Sequence, residues 1–399
     1  MDDDDALTPV VRAGERALSL RAGRLVRLEQ PERLTAPERR TLVLRCQVVA
    51  SADADLPETV ILKWANTEDY RPNEPEGAVA RLFNDWAGTL FLSGLPEAGL
   101  APRCLGGDRA MGLVVLEDLG AGATLVDPLL GADAAAAERA LLALMRTLGR
   151  LHAATVGRED AYRAVRATLG PVTAATPVHT PGRLRAQLPE IGAALTRAGL
   201  ALDARAETEV ETTLTALEQP GPFWAYTHGD PCPDNDFLAP DGTVRLIDFE
   251  MGAYRHALID GVYGLMHFPT CWCAGRIPGA TLARMEAAYR GELARGCPAA
   301  EDDAKWGEAV THALAYWLLA SLAWLLEGAL REEEEWGIAG VRPRLVARVE
   351  SFAREVSKRD EHLPALAAFA ERLSAELRRR WPPESCELAL YPAFRSGKR

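Results

Sequence analysis

Lysine is scarce in this chain: of 45 basic residues only Lys63, Lys305, Lys358 and Lys398 are lysine, so arginine is the default cation and each lysine invites a specific reason. The formal charge is −12, from 57 acidic against 45 basic residues, and the only compact basic run, Arg378 to Arg380, is short. A nucleic-acid partner is not expected, because binding a polyphosphate surface draws on clustered Lys and Arg to release counterions. Seven cysteines, Cys46, Cys104, Cys232, Cys271, Cys273, Cys297 and Cys386, follow no framework spacing, which points to a reducing, cytoplasmic setting and not to a disulfide-stapled fold. A cationic, apolar leader is also missing: the first residues include four aspartates, Asp2 to Asp5, and export by that route is not expected. The longest apolar run, Leu314 to Leu326, has 13 residues, short of the roughly 20 that span a bilayer as a helix, so it reads as a buried helix and no membrane partner is expected. No repeat period is visible.

What is present is a chain of 399 residues, 48% hydrophobic, with room for two or three domains and a sizeable core. From Arg24 to about Leu119 the pattern is strand-rich: Arg40 to Val49, Glu58 to Trp64 and Gly112 to Gly120 alternate or run apolar, with one helical stretch at Arg81 to Leu92. After Gly120 long Ala, Leu and Arg segments of helical period dominate, such as 134–154, while 156–182 reads as loops and short helices. The fold class expected is α+β, with a small β-rich part at 1–118 and a large, mainly helical part at 119–399, divided near Asp118 to Gly122.

The chemistry concentrates in Tyr226 to Glu250. Asp230, Asn235 and Asp248 are three polar groups suited to one task, and an Asp241-Gly242 dipeptide between apolar flanks predicts a two-residue hairpin turn. In that register Asn235 lies directly opposite Asp248, and a bulge would shift the pairing by one residue. An amide and a carboxylate offering oxygen suit Mg²⁺. Asp230, on a loop broken by Pro231 and Pro233, suits a base orienting a hydroxyl nucleophile. Asp234 and Asp241 read as ordinary turn residues. His267, Cys271 and Cys273 lack an evident fourth ligand for zinc, so packing is the expected role. Glu332 to Glu335 read either as a solvated helix end or as an attraction for a cationic substrate.

The pattern H-G-D-x-x-x-x-N at His228 to Asn235, followed by I-D-F-E at Ile247 to Glu250, resembles the aminoglycoside phosphotransferase and choline kinase superfamily. That resemblance implies a two-lobed, protein-kinase-like fold and ATP-dependent transfer of phosphate to a hydroxyl of a small molecule, with ATP and Mg²⁺ as cofactors. V-I-L-K at Val60 to Lys63 resembles the strand whose lysine holds the α and β phosphates. The resemblance also implies an acid on the following helix. Asp85 occupies the place usually held by glutamate, with Glu76 or Glu74 as substitutes. Gly112 to Gly120 resembles the connection between lobes, where Glu117 and Leu119 offer backbone groups to adenine, their neighbouring charges reading as solvated. His228 would brace the catalytic loop, and Asp260 would give structural support. Between Arg33 and Cys46 there is no glycine, so a G-x-G-x-x-G loop over the phosphates is absent. A silent nucleotide-binding or scaffold protein of the same fold is the alternative. A hydrolase is disfavoured by the lack of a G-x-S-x-G elbow. The acceptor is an aminoglycoside or other antibiotic, a choline-like amino alcohol, or a sugar.

Overall fold

Alternation of apolar side chains along five strands builds the first part of the molecule. In the computed structural model, which describes residues 3–36, 38–49, 56–67, 70–73, 77–170, 179–359 and 362–395, strands β1 (Arg27–Arg33), β2 (Thr41–Val49), β3 (Thr59–Ala65), β4 (Cys104–Asp108) and β5 (Leu113–Glu117) form an antiparallel sheet in the order β1-β2-β3-β5-β4. Because successive side chains of a strand point to opposite faces, β3 sends Val60 and Leu62 to one face and Ile61 and Lys63 to the other. On the first face Val60, Leu62, Leu113 and Val115 pack with Val10, Ala13 and Leu18 of helix α1 (Asp3–Ala22). On the second face Ile61, Val114 and Leu116 pack with Leu82, Phe83 and Trp86 of helix α2 (Gly77–Ser93). The period-2 pattern therefore delivers Lys63 to the side of the sheet that α2 covers.

The chain divides into two compact units. The first comprises Met1–Gly122, Arg158–Pro177 and Arg245–Ala253, and the second comprises Ala123–Gly157, Val178–Val244 and Tyr254–Arg399. The expected α+β arrangement, a β-rich amino-terminal part followed by a mainly helical remainder, is the one observed. Helix α1 had no sequence expectation attached to it. It supplies the apolar cover for a sheet face that otherwise would lie open.

The second unit is built from helices including Ala134–Thr155, Pro181–Arg197, Ala204–Glu218, Gly279–Leu293, Val341–Val356 and Pro364–Arg380. Asp133 caps the first of these by accepting from the backbone N–H groups of Ala135 and Ala136. The apolar run at Leu314 to Leu326 sits within one helix of 29 residues, Asp303–Arg331, that is long and apolar enough to cross a bilayer; 83% of its most apolar window is buried within the protein. Trp317 on this helix is fully buried and donates its indole N–H to Ile259 O at 2.7 Å. The helix is the core of its unit, and its Asp302 cap fixes where it starts.

Leu18 and Leu20 on α1 test that packing. Leu18 is 0% exposed and Leu20 85% exposed. Leu18→Ala is expected to lower unfolding free energy by about 2–5 kcal/mol and Leu20→Ala by no more than about 0.5 kcal/mol, measured by denaturant titration. Equal effects would show that α1 is not part of the cooperative core.

Candidate active site

The first unit assembles an ion triad around Lys63. Its ammonium donates to Asp85 Oδ2 at 2.7 Å and to Asp248 Oδ1 at 2.7 Å. Asp85 lies on the buried face of α2, one turn from Leu82 and Thr89 and beside Trp86, and its other oxygen accepts the backbone N–H of Phe249 at 2.7 Å. Asp85 is thus the acid that meets Lys63; Glu74 and Glu76, the substitutes considered, lie outside the described residues. Burial alone would pull the Lys63 pKa down, but Asp248 and Asp85 outweigh it and leave the ammonium more firmly protonated than an ordinary lysine.

The I-D-F-E segment is anchored to the same unit by its last residue. Glu250 accepts from Arg40 at 2.6 Å and from Arg81 of α2 at 3.1 Å, while Asn84 donates to Glu250 O at 3.3 Å. Arg81 and Asp85 stand one turn apart on α2, so one helix face holds both Phe249 and Glu250. Asp248 itself has a left-handed backbone, φ 65°, a conformation that costs a non-glycine residue free energy and clusters at functional sites.

The connection after β5 differs from expectation in its charges. Asp118 is not solvated: it accepts from Arg45 Nε at 2.7 Å and from the N–H of Gly120 at 2.9 Å. Burial pushes its carboxyl up, and those two bonds hold it below the usual range. Glu117 pairs with Arg245 at 3.2 Å and accepts the N–H of Arg103. Its own N–H donates to Arg103 O at 2.8 Å. Leu119 lies in the irregular stretch that follows, partly exposed.

The second unit holds Asp230. Strand Trp224–Thr227 runs into the His228 to Asn235 loop, where Gly229 adopts φ 83°. A left-handed backbone there is open to glycine at little cost, which gives a local reason for H-G-D. Asp260, buried, accepts the N–H groups of His228 at 2.7 Å and Gly229 at 3.2 Å, so it braces the loop backbone directly. Burial pushes Asp260 up, but neighbouring His152 and Arg255 keep it below the ordinary carboxylate range. Buried His228 accepts the Asp230 N–H on Nδ1 at 3.3 Å, a bracing role and not that of a base.

Asp230 Oδ1 accepts from Thr270 Oγ1 at 2.5 Å and from Tyr263 OH at 3.3 Å. Burial raises its pKa, and the Thr270 bond and His228 offset that only in part. Asn235 Nδ2 donates to Asp230 O at 3.0 Å, so its amide oxygen is the atom left to face a cation. An amide oxygen is a hard donor of the kind Mg²⁺ prefers, as is the Asp248 carboxylate in the first unit. Thr270 and Tyr263 escaped the sequence reading because nothing marks a threonine 40 residues downstream as a partner of Asp230. Glu250 could have been found, since its charge and that of Arg81 are complementary.

The hairpin forms, but not in the expected register. Strands Asp236–Leu238 and Val244–Leu246 flank it, and Ala123–Thr124 pairs with the first. Gly242 N–H donates to Ala239 O and Ala239 N–H to Thr243 O, both at 2.9 Å, with Gly242 at φ 84°. This is a three-residue turn closed by a glycine bulge, which places Ala239 opposite Thr243 and moves the pairing by one. Asn235 precedes the paired strand, in the turn Pro233–Asn235, and Asp248 follows the other. The direct Asn235 to Asp248 cross-strand pair is therefore replaced by two residues outside the ladder. Asp241 keeps the turn role expected, accepting from Thr243 N–H and Oγ1.

Residues 91–299 match the model of a family described as the phosphotransferase enzyme family. Similar solved structures include a choline/ethanolamine kinase family protein from Mesorhizobium loti, 18% identical over 86% of this chain and 93% of that one, TM-score 0.41. An aminoglycoside phosphotransferase from Alicyclobacillus acidocaldarius is 15% identical over 86% and 93%, TM-score 0.44. A macrolide 2'-phosphotransferase from Brachybacterium faecium is 17% identical over 80% and 98%, TM-score 0.40. No curated protein sequence matches the chain.

The side chain of Asp85 is 2% exposed and that of Asp248 36%. Lys63→Met strands Asp85 without its cation and is expected to cost about 3–5 kcal/mol of stability, whereas Asp248→Ala leaves the buried pair intact and costs no more than about 1 kcal/mol. The double variant Lys63→Met with Asp85→Leu should recover most of the loss. Denaturant unfolding of the three proteins checks this ordering, and a reversed order refutes it.

Proposed function

The chain belongs to the phosphotransferase enzyme family, and on that premise we propose that it transfers the γ-phosphoryl group of ATP to a hydroxyl of a small molecule. The observation that carries this reading is the Lys63 ammonium held at 2.7 Å from both Asp85 and Asp248. It joins the lysine strand, α2 and the I-D-F-E segment in one charged cluster. The pairing also removes one motive for a silent scaffold, since the shorter acid does reach the lysine.

Phosphoryl transfer passes through a loose transition state, so catalysis is mainly alignment and charge neutralisation. Lys63 binds the α and β phosphates, kept charged and oriented by Asp85. Glu117 and Leu119 offer backbone groups to adenine. Asn235 and Asp248 would hold Mg²⁺, which when bound offsets the phosphate charge. Asp230 orients the acceptor hydroxyl and takes its proton. Thr270 and Tyr263 engage Oδ1, so Oδ2, whose one contact is the longer 3.4 Å bond from Asn235 Nδ2, is the oxygen offered to the acceptor, and burial makes the carboxylate a better proton acceptor than an exposed one. The charge of −12 favours a cationic hydroxylated acceptor, such as an aminoglycoside or a choline-like amino alcohol, over a neutral sugar. Glu332, Glu334 and Glu335 are exposed and add to that field. An aminoglycoside acceptor would make the enzyme an antibiotic-resistance determinant. Free cysteines at all seven positions support a reducing, cytoplasmic location.

The test is Mg²⁺-dependent ATP consumption with a panel of aminoglycosides, other antibiotics, amino alcohols and sugars. Asp230→Asn is expected to lower turnover by about 10²- to 10⁴-fold while nucleotide binding, followed by calorimetry, stays within a few-fold of wild type. No turnover on any acceptor, or full turnover by Asp230→Asn, overturns the reading.

A further inference from the structure

Cys271 and Cys273, read in the sequence as packing residues, come together with Cys232 of the catalytic loop. The ligand atoms of Cys232, Asp234 and Cys271 all lie within 4.8 Å of one another. Cys273 adds a fourth, its Sγ 3.1 Å from that of Cys271. His267, the other member of the sequence cluster, is engaged elsewhere, with Nε2 at 3.0 Å from Ser351 Oγ. The His228 to Asn235 loop thus brings two groups, Cys232 and Asp234, to the cysteines of 271–273, and the histidine is not among them.

Two features set this cluster apart from ordinary buried thiols. Asp234 is not a simple turn residue: its Oδ2 accepts the Trp272 indole N–H at 3.0 Å, while its Oδ1 is buried and has no hydrogen-bond partner among the described residues. Leaving such an oxygen unmatched costs free energy that a cation would recover. The second feature is uncompensated positive charge. Arg344, buried, donates to the backbone carbonyls of Ala339, Cys271, Trp272 and Trp336 and to no carboxylate among the described residues. Arg348, also buried, has Nη1 and Nη2 without a partner among the described residues. Both guanidiniums couple electrostatically to Cys271.

We propose that Cys232, Asp234, Cys271 and Cys273 form a site for one soft divalent cation of the Zn²⁺ or Cd²⁺ type. Three thiolates and a carboxylate bring four negative charges, the cation returns two positive ones, and the two that remain match Arg344 and Arg348. The thiol protons pass to solvent as the metal–sulfur bonds form. Sulfur-rich donors select soft ions over Mg²⁺. Tetrahedral coordination with Zn–S near 2.3 Å separates ligand atoms by roughly 3.8 Å, so Cys232, Asp234 and Cys271 stand within about 1 Å of the spacing required, and Cys273 would complete the set from its place beside Cys271. Because Thr270, next to Cys271, donates to Asp230, an ion joining 232–234 to 271–273 would also fix the catalytic loop.

Titrating the reduced full-length protein with Cd²⁺ reads the site without using turnover. The expected result is an ultraviolet thiolate-to-cadmium charge-transfer band that saturates at one ion per chain, is competed away by Zn²⁺ and is unaffected by Mg²⁺. Cys232→Ser and Cys271→Ser should weaken binding at least tenfold, and Cys297→Ser, whose thiol bonds Pro222 O elsewhere, should not. Absence of a one-equivalent band in the wild type, or undiminished binding in both serine variants, overturns the proposal. Should either serine variant fail to fold, Asp234→Asn decides: a loss of affinity supports the site and an unchanged affinity refutes it.

Discussion

A single ammonium shared by two carboxylates organises the first unit. Lys63 reaches α2 because β3 alternates, and it draws Asp248 to the same point, so strand, helix and I-D-F-E segment meet at one nitrogen. In a chain that otherwise prefers arginine, the chemistry explains the exception. An ammonium is a compact point charge whose three N–H groups rotate to suit separate acceptors, whereas a guanidinium is a flat fork matched to one carboxylate. Removing these charges from water is expensive, and the cost is met only because each has a partner at hydrogen-bond distance.

Asp230 is controlled by a different device. Its loop is held through the backbone by Asp260, and its carboxylate is oriented by two hydroxyls that carry no charge. A neutral hydroxyl fixes position without the strong pKa depression an arginine would impose. The residue keeps a raised proton affinity while remaining oriented, a combination suited to accepting a proton from a weakly acidic alcohol.

Much of this was legible in the sequence. The alternation at Val60 to Lys63, the helical stretch carrying Asp85 and the order of Asp230, Asn235 and Asp248 are local signals, and local signals survive folding. The failures share a physical origin in long-range or conformational terms. Helix α1 was invisible because its apolar face acquires meaning only against a sheet built later in the chain. The hairpin register slipped because Pro240 precedes Asp241 and favours a turn that ends in a left-handed glycine, Gly242, instead of centring on both residues. The pairs Arg45 with Asp118 and Thr270 with Asp230 join residues 73 and 40 positions apart, and no spacing rule reaches that far. The grouping of Cys232 with Cys271 lay out of reach for the same reason: the two are neighbours only after the chain has turned back.

Asp85 has a reach one methylene shorter than a glutamate in its place would have. Its contact with Lys63 is made with α2 seated on the sheet through Phe83 and Trp86, so a longer acid would need a different seat. Acid length and helix seat are therefore one coupled variable. A lineage could exchange aspartate for glutamate here only by repacking those aromatic rings at the same time, and a substitution matrix that treats the two acids as interchangeable would miss the constraint.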